Sequence, residues 1–216
     1  MAMIGVEEIA AITSQQAGFV SSAQAARIGV APRALAALAN AGVLDRELRG
    51  VFRVRAAPTP PDPELLAAWT LLAGERLPWD PEADGQPPVV ISHTSAATLH
   101  ELGVFPIARP TFIVDRRRHD PPSGLYRTFR LPLAADEWTR RTLPAGIQVA
   151  LTTAERTLVD LAWAEADPDH VLDAFDAALR HRTVDSATLR RVLARRWRHG
   201  GRGTPTWFAR AVEHAA

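Results

Sequence analysis

The 216-residue chain is 47% hydrophobic and 23% charged, the proportions of folded globular structure rather than of a disordered tail. It has no cysteine, which excludes a disulfide framework and thiolate chemistry, and its net charge is only +1, with arginine as its one basic residue type besides histidine. No run of about eighteen apolar residues marks a membrane span, and the acidic start MAMIGVEEIAAITSQQ does not read as a secretory signal, so the expectation is a soluble, cytoplasmic protein.

The chain opens with an amphipathic helix predicted over about 6–16. A second helix is expected to start after Ser21 or Ser22, either of which can cap the exposed N–H groups, and to run to about Arg27. Ile28-Gly29-Val30 makes a tight turn. Pro32 suits the first turn of a third helix, because its missing N–H has no helical partner there, and Gly42 ends that helix. Short strands at 43–46 and 50–54, joined near 47–49, complete a winged helix-turn-helix over residues 1–57. The proline-rich segment from Ala56 to Pro63 cannot continue a helix or a sheet ladder and is read as a linker to a second domain over 58–216.

In the second domain the pattern predicts a helix at about 63–74, a loop over 77–88, a strand at 89–91 and a helix at 94–102. Strands follow at 111–114, 125–131, 138–143 and 147–151. Leu125, Arg127, Phe129 and Leu131 share one face of the second of these. A helix begins after Thr152, spaced with Glu155 as a capping box, and Asp167-Pro168, Asp185 or Ser186, and Thr204-Pro205 start three more. The fold class is therefore a mixed α+β or α/β one, with an N-terminal winged helix followed by a sheet-and-helix domain.

A helix-turn-helix lays its second helix in the major groove, so that helix needs an apolar inner face and an outer face of short or cationic residues. Ala34, Leu35 and Leu38 are spaced to pack on Ala25, Ala26, Ile28 and Val30. This leaves Arg33, Ala36, Ala37 and Asn40 facing outward, with Arg33 suited to guanine and Asn40 to adenine, a phosphate or no partner at all. Arg46, Arg49 and Arg53 on the wing are expected at phosphates or in the minor groove. Ser21, Ser22 and the N–H groups beside them form a second expected phosphate site, and Arg27 is counted with the DNA contacts. The competing reading is a winged helix used for protein contacts. The charge of residues 17–55, six arginines against two acids, favours DNA.

Catalytic and metal constellations are not evident. His93 and His100 have no third ligand at metal spacing and are expected to make a helix-start contact and a partly buried hydrogen bond, respectively. Ser92, Ser95 and Thr98 lack the setting of an activated nucleophile, and no phosphate-binding loop or dinucleotide fingerprint occurs. No enzyme activity, metal or cofactor is expected.

Two phrases in the second domain, VISHTSAATLHELG from Val90 to Gly103 and LTTAERTLVDLA from Leu151 to Ala162, stand behind a winged helix whose wing reads GVFRV. Together they resemble the AbiEi family of antitoxins from type IV toxin–antitoxin systems, particularly its actinobacterial members, over about residues 12–179. The arginine-only, alanine- and proline-rich composition also fits a high-GC bacterial genome. The resemblance implies a repressor of its own operon that binds inverted repeats in double-stranded operator DNA, with two copies on the DNA, and that opposes a nucleotidyltransferase-like toxin through its C-terminal domain. The matching positions are Ser92, His93, Ala96, Leu99, His100, Leu102 and Gly103, then Thr152, Thr153, Arg156, Thr157, Leu158, Asp160 and Leu161. Most read as structural: Leu99, Leu158 and Leu161 in the core, and Arg156 paired with Asp160 or with the strand at 89–91. The alternative is a stand-alone winged-helix regulator without a toxin. A nuclease is disfavoured, because a carboxylate–lysine site cannot be assembled in a chain without lysine.

Charge alternates along the chain. Residues 56–108 and 151–179 each carry one arginine against seven acids, 109–150 carry eight against four, and 180–216 carry nine against two. Arg190, Arg191, Arg195, Arg196 and Arg198 crowd the last basic helix behind an apolar face of Leu189, Val192, Leu193 and Trp197, and Arg202 follows. Three readings stand for this tail: a second nucleic-acid contact, a toxin contact, or a solvated face.

Overall fold

The computed structural model describes residues 4–80, 87–105, 109–115, 124–164, 167–198 and 205–215. It divides into two compact units, residues 1–84 with 141–149, and residues 85–140 with 150–216.

In the first unit, α1 (Ile4–Ser14) leads into a three-residue strand β1 (Phe19–Ser21), followed by α2 (Ser22–Arg27) and α3 (Pro32–Asn40). The wing is β2 (Leu44–Leu48) and β3 (Val51–Val54), with a bulge between Arg46 and Leu48. The strand order is β1-β3-β2, so β3 is central and antiparallel to both neighbours. β1 is too short to show an alternating pattern and was not expected from the sequence. It follows Gly18, whose φ of +87° suits glycine and where a Cβ would stand 2.6 Å from that of Ala57.

The core of this unit is Ile9, Ile12, Val20, Ala25, Val30, Leu35, Leu44, Phe52 and Leu77. Leu38, Ala39 and Ile28 pack against it, but Ala26 and Ala34, expected inside, are exposed. Leu35 is fully buried in this core, and Leu38 and Ala39 lie on the next turn of the same face. The Ala34 methyl lies one residue around the helix, outside the buried stripe.

The first unit also continues past the boundary expected at residue 57. α4 (Pro63–Ala73) belongs to it, and the residues after α4 tie directly to α2. Ser21 Oγ donates to Gly74 O at 2.7 Å, and Gln24 Nε2 donates to Arg76 O at 2.6 Å. The prolines break the secondary structure between β3 and α4 without ending the packed unit.

The second unit carries β4 (Val89–Ile91), α5 (His93–Leu99), β5 (Thr111–Val114) and β6 (Arg127–Phe129), with the start of β7 (Trp138–Thr142) and the end of β8 (Gln148–Thr152). The sheet order is β6-β5-β4-β8-β7; β5 runs antiparallel to β4 and parallel to β6, and β4 is parallel to β8. β4 and β5 are buried along their whole length, as the apolar runs Val89–Ile91 and 112–114 require, with Thr111 the buried polar residue at the start of β5. β6 is shorter than the segment expected: Leu125 is exposed, and Arg127 lies outside with its guanidinium 4.6 Å from the centroid of Phe129. This contact accounts for an arginine on an otherwise apolar face.

Four helices follow: α6 (Ala154–Trp163), α7 (Pro168–Arg180), α8 (Ser186–Arg198) and α9 (Thr206–His214). They share a core that includes Leu158, Leu161, Phe175, Leu189, Val192 and Phe208, joined by Ala97 of α5. Leu99, expected in the core, is half-buried, because α5 ends there and Glu101 turns the chain at a φ of +57°. The cap of α6 is Thr153, whose Oγ1 accepts from Arg156 N at 3.3 Å, rather than Thr152. Thr152 closes β8 instead, with its Oγ1 2.7 Å from that of Thr157.

Candidate nucleic-acid interface

The winged helix positions its outward residues through α3. Pro32 occupies the first turn, Leu35 anchors the inner face, and the helix contains no acid. Arg33, Ala36, Ala37 and Asn40 are all exposed. Arg33, Ala37 and Asn40, spaced at i, i+4 and i+7, form one stripe. Neither Arg33 nor Asn40 makes a side-chain hydrogen bond or ion pair among the described residues.

On the wing, Arg49 sits at the turn between β2 and β3, exposed and likewise unpaired among the described residues. Arg46 is exposed with its guanidinium 5.6 Å from the centroid of Phe52. That contact fixes the side chain while leaving its charge toward solvent.

The other expected contacts are engaged within the fold. Arg53 is one: its Nε donates to Glu47 Oε1 at 2.6 Å, its Nη1 donates to Ala57 O at 3.0 Å, and its side chain is 12% exposed. Arg27 is another, forked onto both carboxylate oxygens of Asp80, which it holds below the usual carboxylate range through these hydrogen bonds. Arg55 similarly pairs with Asp45 at 2.7 Å, which removes both wing acids as repulsive charges.

At the start of α2, where a phosphate was expected, Ser21 and the backbone N–H of Ser22 are engaged within the fold. Ser21 is buried, and it forms a capping box in which Ser21 Oγ accepts from Gln24 N and Gln24 Oε1 accepts from Ser21 N. Ser22 is half-buried, and its N–H donates to Gly50 O at 2.8 Å. These donors have protein acceptors, so they are not open to a phosphate.

The basic C-terminal helix turns much of its charge inward. Arg195 donates to Asp136 at 2.6 Å and to Glu137 at 3.0 Å, while Arg196 stands 3.5 Å from Asp160 and 5.5 Å from the centroid of Trp163. Arg191 lies 3.9 Å from Asp136 and donates to Thr188 Oγ1. Arg190 is half-buried, with a buried Nη2 that donates no hydrogen bond among the described residues. Arg195 and Arg196 are thus internal partners of acids rather than an open nucleic-acid surface. The side chain of Arg198 and all of Arg202 lie outside the described residues.

The two motif histidines are structural in their contacts. His93, the first residue of α5, is buried with Nδ1 2.9 Å from Ser92 Oγ and its ring stacked 4.1 Å from Phe129. Burial pushes its pKa down to about 4. His100 donates from Nε2 to Thr152 O at 2.7 Å. Among the described residues no group of three histidines or acids is placed to hold a metal ion, and no helix is long and apolar enough to cross a membrane.

Residues 7–55, which span α1 to the end of the wing, match the family model of the AbiEi antitoxin transcriptional regulators. No curated relative matches the chain. Over these residues the N-terminal module, with its exposed α3 and arginine-bearing wing, is similar to the AbiEi antitoxin transcriptional regulators.

Proposed function

We propose that the protein is a DNA-binding antitoxin of the type IV kind, which represses its own toxin–antitoxin operon and opposes a nucleotidyltransferase-like toxin through its second domain in the bacterial cytoplasm. The DNA half rests on one observation: the stripe Arg33, Ala37 and Asn40 is exposed and acid-free, while the acids of the wing are paired by Arg53 and Arg55. In the major groove Arg33 pairs with guanine O6 and N7, Ala37 meets a thymine methyl, and Asn40 pairs with adenine. Seven residues of helix span about 10 Å, close to three base-pair steps. Arg46 and Arg49 then reach backbone phosphates, and two copies occupy the inverted repeat.

The test expresses the full chain in cells that carry a reporter behind its own promoter and, separately, the toxin gene beside it. The double variant Arg33→Ala/Arg49→Ala is expected to lose repression and to keep toxin rescue. Repression at the wild-type level would remove the winged helix as operator reader. Absence of a nucleotidyltransferase-like gene beside this one, with intact repression, would favour a stand-alone regulator.

A further inference from the structure

The second unit holds a small cavity, partly lined by charged side chains, that the DNA reading does not use. Its volume is about 180 Å³, and it is lined by the 132–134 segment, Glu137, Arg156, Arg195 and Arg196. That is room for about six waters at roughly 30 Å³ each, and less than the roughly 300 Å³ at which drug-sized pockets begin. A small ligand fits.

The donors around it are not fully used. Arg156 of α6 is 2% exposed; its Nη1 donates to Glu137 Oε2 at 2.6 Å and to Pro132 O at 3.1 Å, and its Nε donates to Asp160 Oδ2 at 2.9 Å. Its Nη2 is buried and donates to no acceptor among the described residues. The same holds for Nε of Arg196 on α8, which faces Asp160 Oδ1 at 3.5 Å without hydrogen-bond geometry. Burial pushes the Arg196 guanidinium below its ordinary value, so its charge is incompletely compensated.

Charge and geometry agree on the sign of the ligand. The ion-pair network comprises Arg156, Arg191, Arg195 and Arg196 against Asp136, Glu137 and Asp160, which leaves one positive charge in excess. Glu137 lines the cavity, but its two oxygens already accept from Arg156 and Arg195, which screens its repulsion of an anion. Buried guanidinium donors without acceptors are unfavourable, and guanidinium forks match the oxygens of phosphate. Three guanidinium groups line the cavity from two helices, two of them with a donor left over, and they suit a tetrahedral oxyanion better than a planar carboxylate.

We propose that this cavity binds a small phosphate-bearing ligand held by Arg156, Arg195 and Arg196. The site stands independently of the winged helix and gives the second unit a means of sensing a metabolite.

Calorimetric titration of the full chain at low ionic strength tests it, first with inorganic phosphate and then with adenosine 5′-monophosphate. Phosphate is expected to bind saturably at one site and to raise the melting temperature with dose. Arg196→Lys, which keeps the charge but removes Nε, is expected to weaken binding at least tenfold, whereas Arg210→Gln at an exposed position of α9 leaves it unchanged. Tighter binding of the monophosphate identifies a phosphate ester as the ligand, and equal or weaker binding identifies free phosphate. Heat without saturation, an unchanged wild-type melting temperature, or an isotherm that Arg196→Lys leaves within twofold overturns the proposal. The wild-type titration decides alone if the variant does not fold.

Discussion

Arg49 and Arg53 lie four residues apart on one hairpin, and their surroundings separate them. Arg53 is held by Glu47 and Ala57 O, whereas Arg49 projects from the turn without a partner among the described residues. Arg49→Ala is expected to weaken binding to operator and random DNA alike and to reduce the slope of log K against log salt by about 0.9, measured by fluorescence anisotropy. Arg33→Ala is expected to cost about 1–3 kcal/mol on operator DNA and much less on random DNA. Equal losses on both would place a different face of α3 in the groove. His93 makes a prediction about pH. Its folded pKa of about 4 lies below the ordinary 6.5, because burial outweighs the attraction of Asp160, with Arg156, Arg127 and Arg196 adding repulsion. The unfolded chain therefore binds the extra proton between these values, and stability falls as pH drops from about 6.5 to 4, by about 3 kcal/mol in the limit. Asn tolerates the φ of +50° at this position, so His93→Asn should flatten that part of the urea-denaturation profile. An unchanged profile would assign the pH dependence to other groups.

At the scale of the element, α6 joins the second unit through ions as well as through apolar packing. Leu158 and Leu161 are buried among the helices, while Arg156 and Asp160 on the same helix are nearly sealed from solvent. Although burial opposes its charge, the carboxylates of Asp160 and Glu137 hold the Arg156 pKa above its ordinary value, and the guanidinium stays ionised. Arg156→Met should leave two buried carboxylates short of a partner and cost about 3–5 kcal/mol in urea denaturation. A loss under about 1 kcal/mol would mean that Arg195 and Arg196 compensate. The pairing of Arg156 with Asp160 was legible from their spacing of four on a helix. Glu137 was not, since it lies nineteen residues away on a different segment. The capping of α6 was legible in kind but displaced by one residue: Thr152 and Thr153 carry the same chemistry, and only the end of β8 decides which one leaves the sheet.

At the scale of the whole molecule, the first unit needs more chain than its helix-turn-helix pattern indicates. Gln24, Ser21 and Arg27 of the α2 region bond to Arg76, Gly74 and Asp80, and Leu77 enters the core. A fragment of residues 1–80 should melt cooperatively by circular dichroism. A fragment of residues 1–57 should melt at lower temperature or without a cooperative transition, because it lacks these bonds and the Leu77 side chain. Equal melting temperatures would show that α4 and the residues after it are dispensable to the module.

The sequence by itself determined the local features: helices bounded by Pro32, Gly42 and Pro168, the buried runs Val89–Ile91 and Thr111–Val114, and the exposed face of α3 with Arg33 and Asn40. Each follows from periodicity, proline stereochemistry or capping, which act over a few residues. The tertiary structure alone decided which arginines are spent. Asp80 lies fifty-three residues from Arg27 and Asp136 lies fifty-nine from Arg195, so composition counts these groups as free charge while the fold neutralises them. Burial likewise decided that the Ser21 hydroxyl, legible as a cap, donates to Gly74 O. It also brought three arginines around one cavity, because long-range packing, not local spacing, sets which polar groups meet.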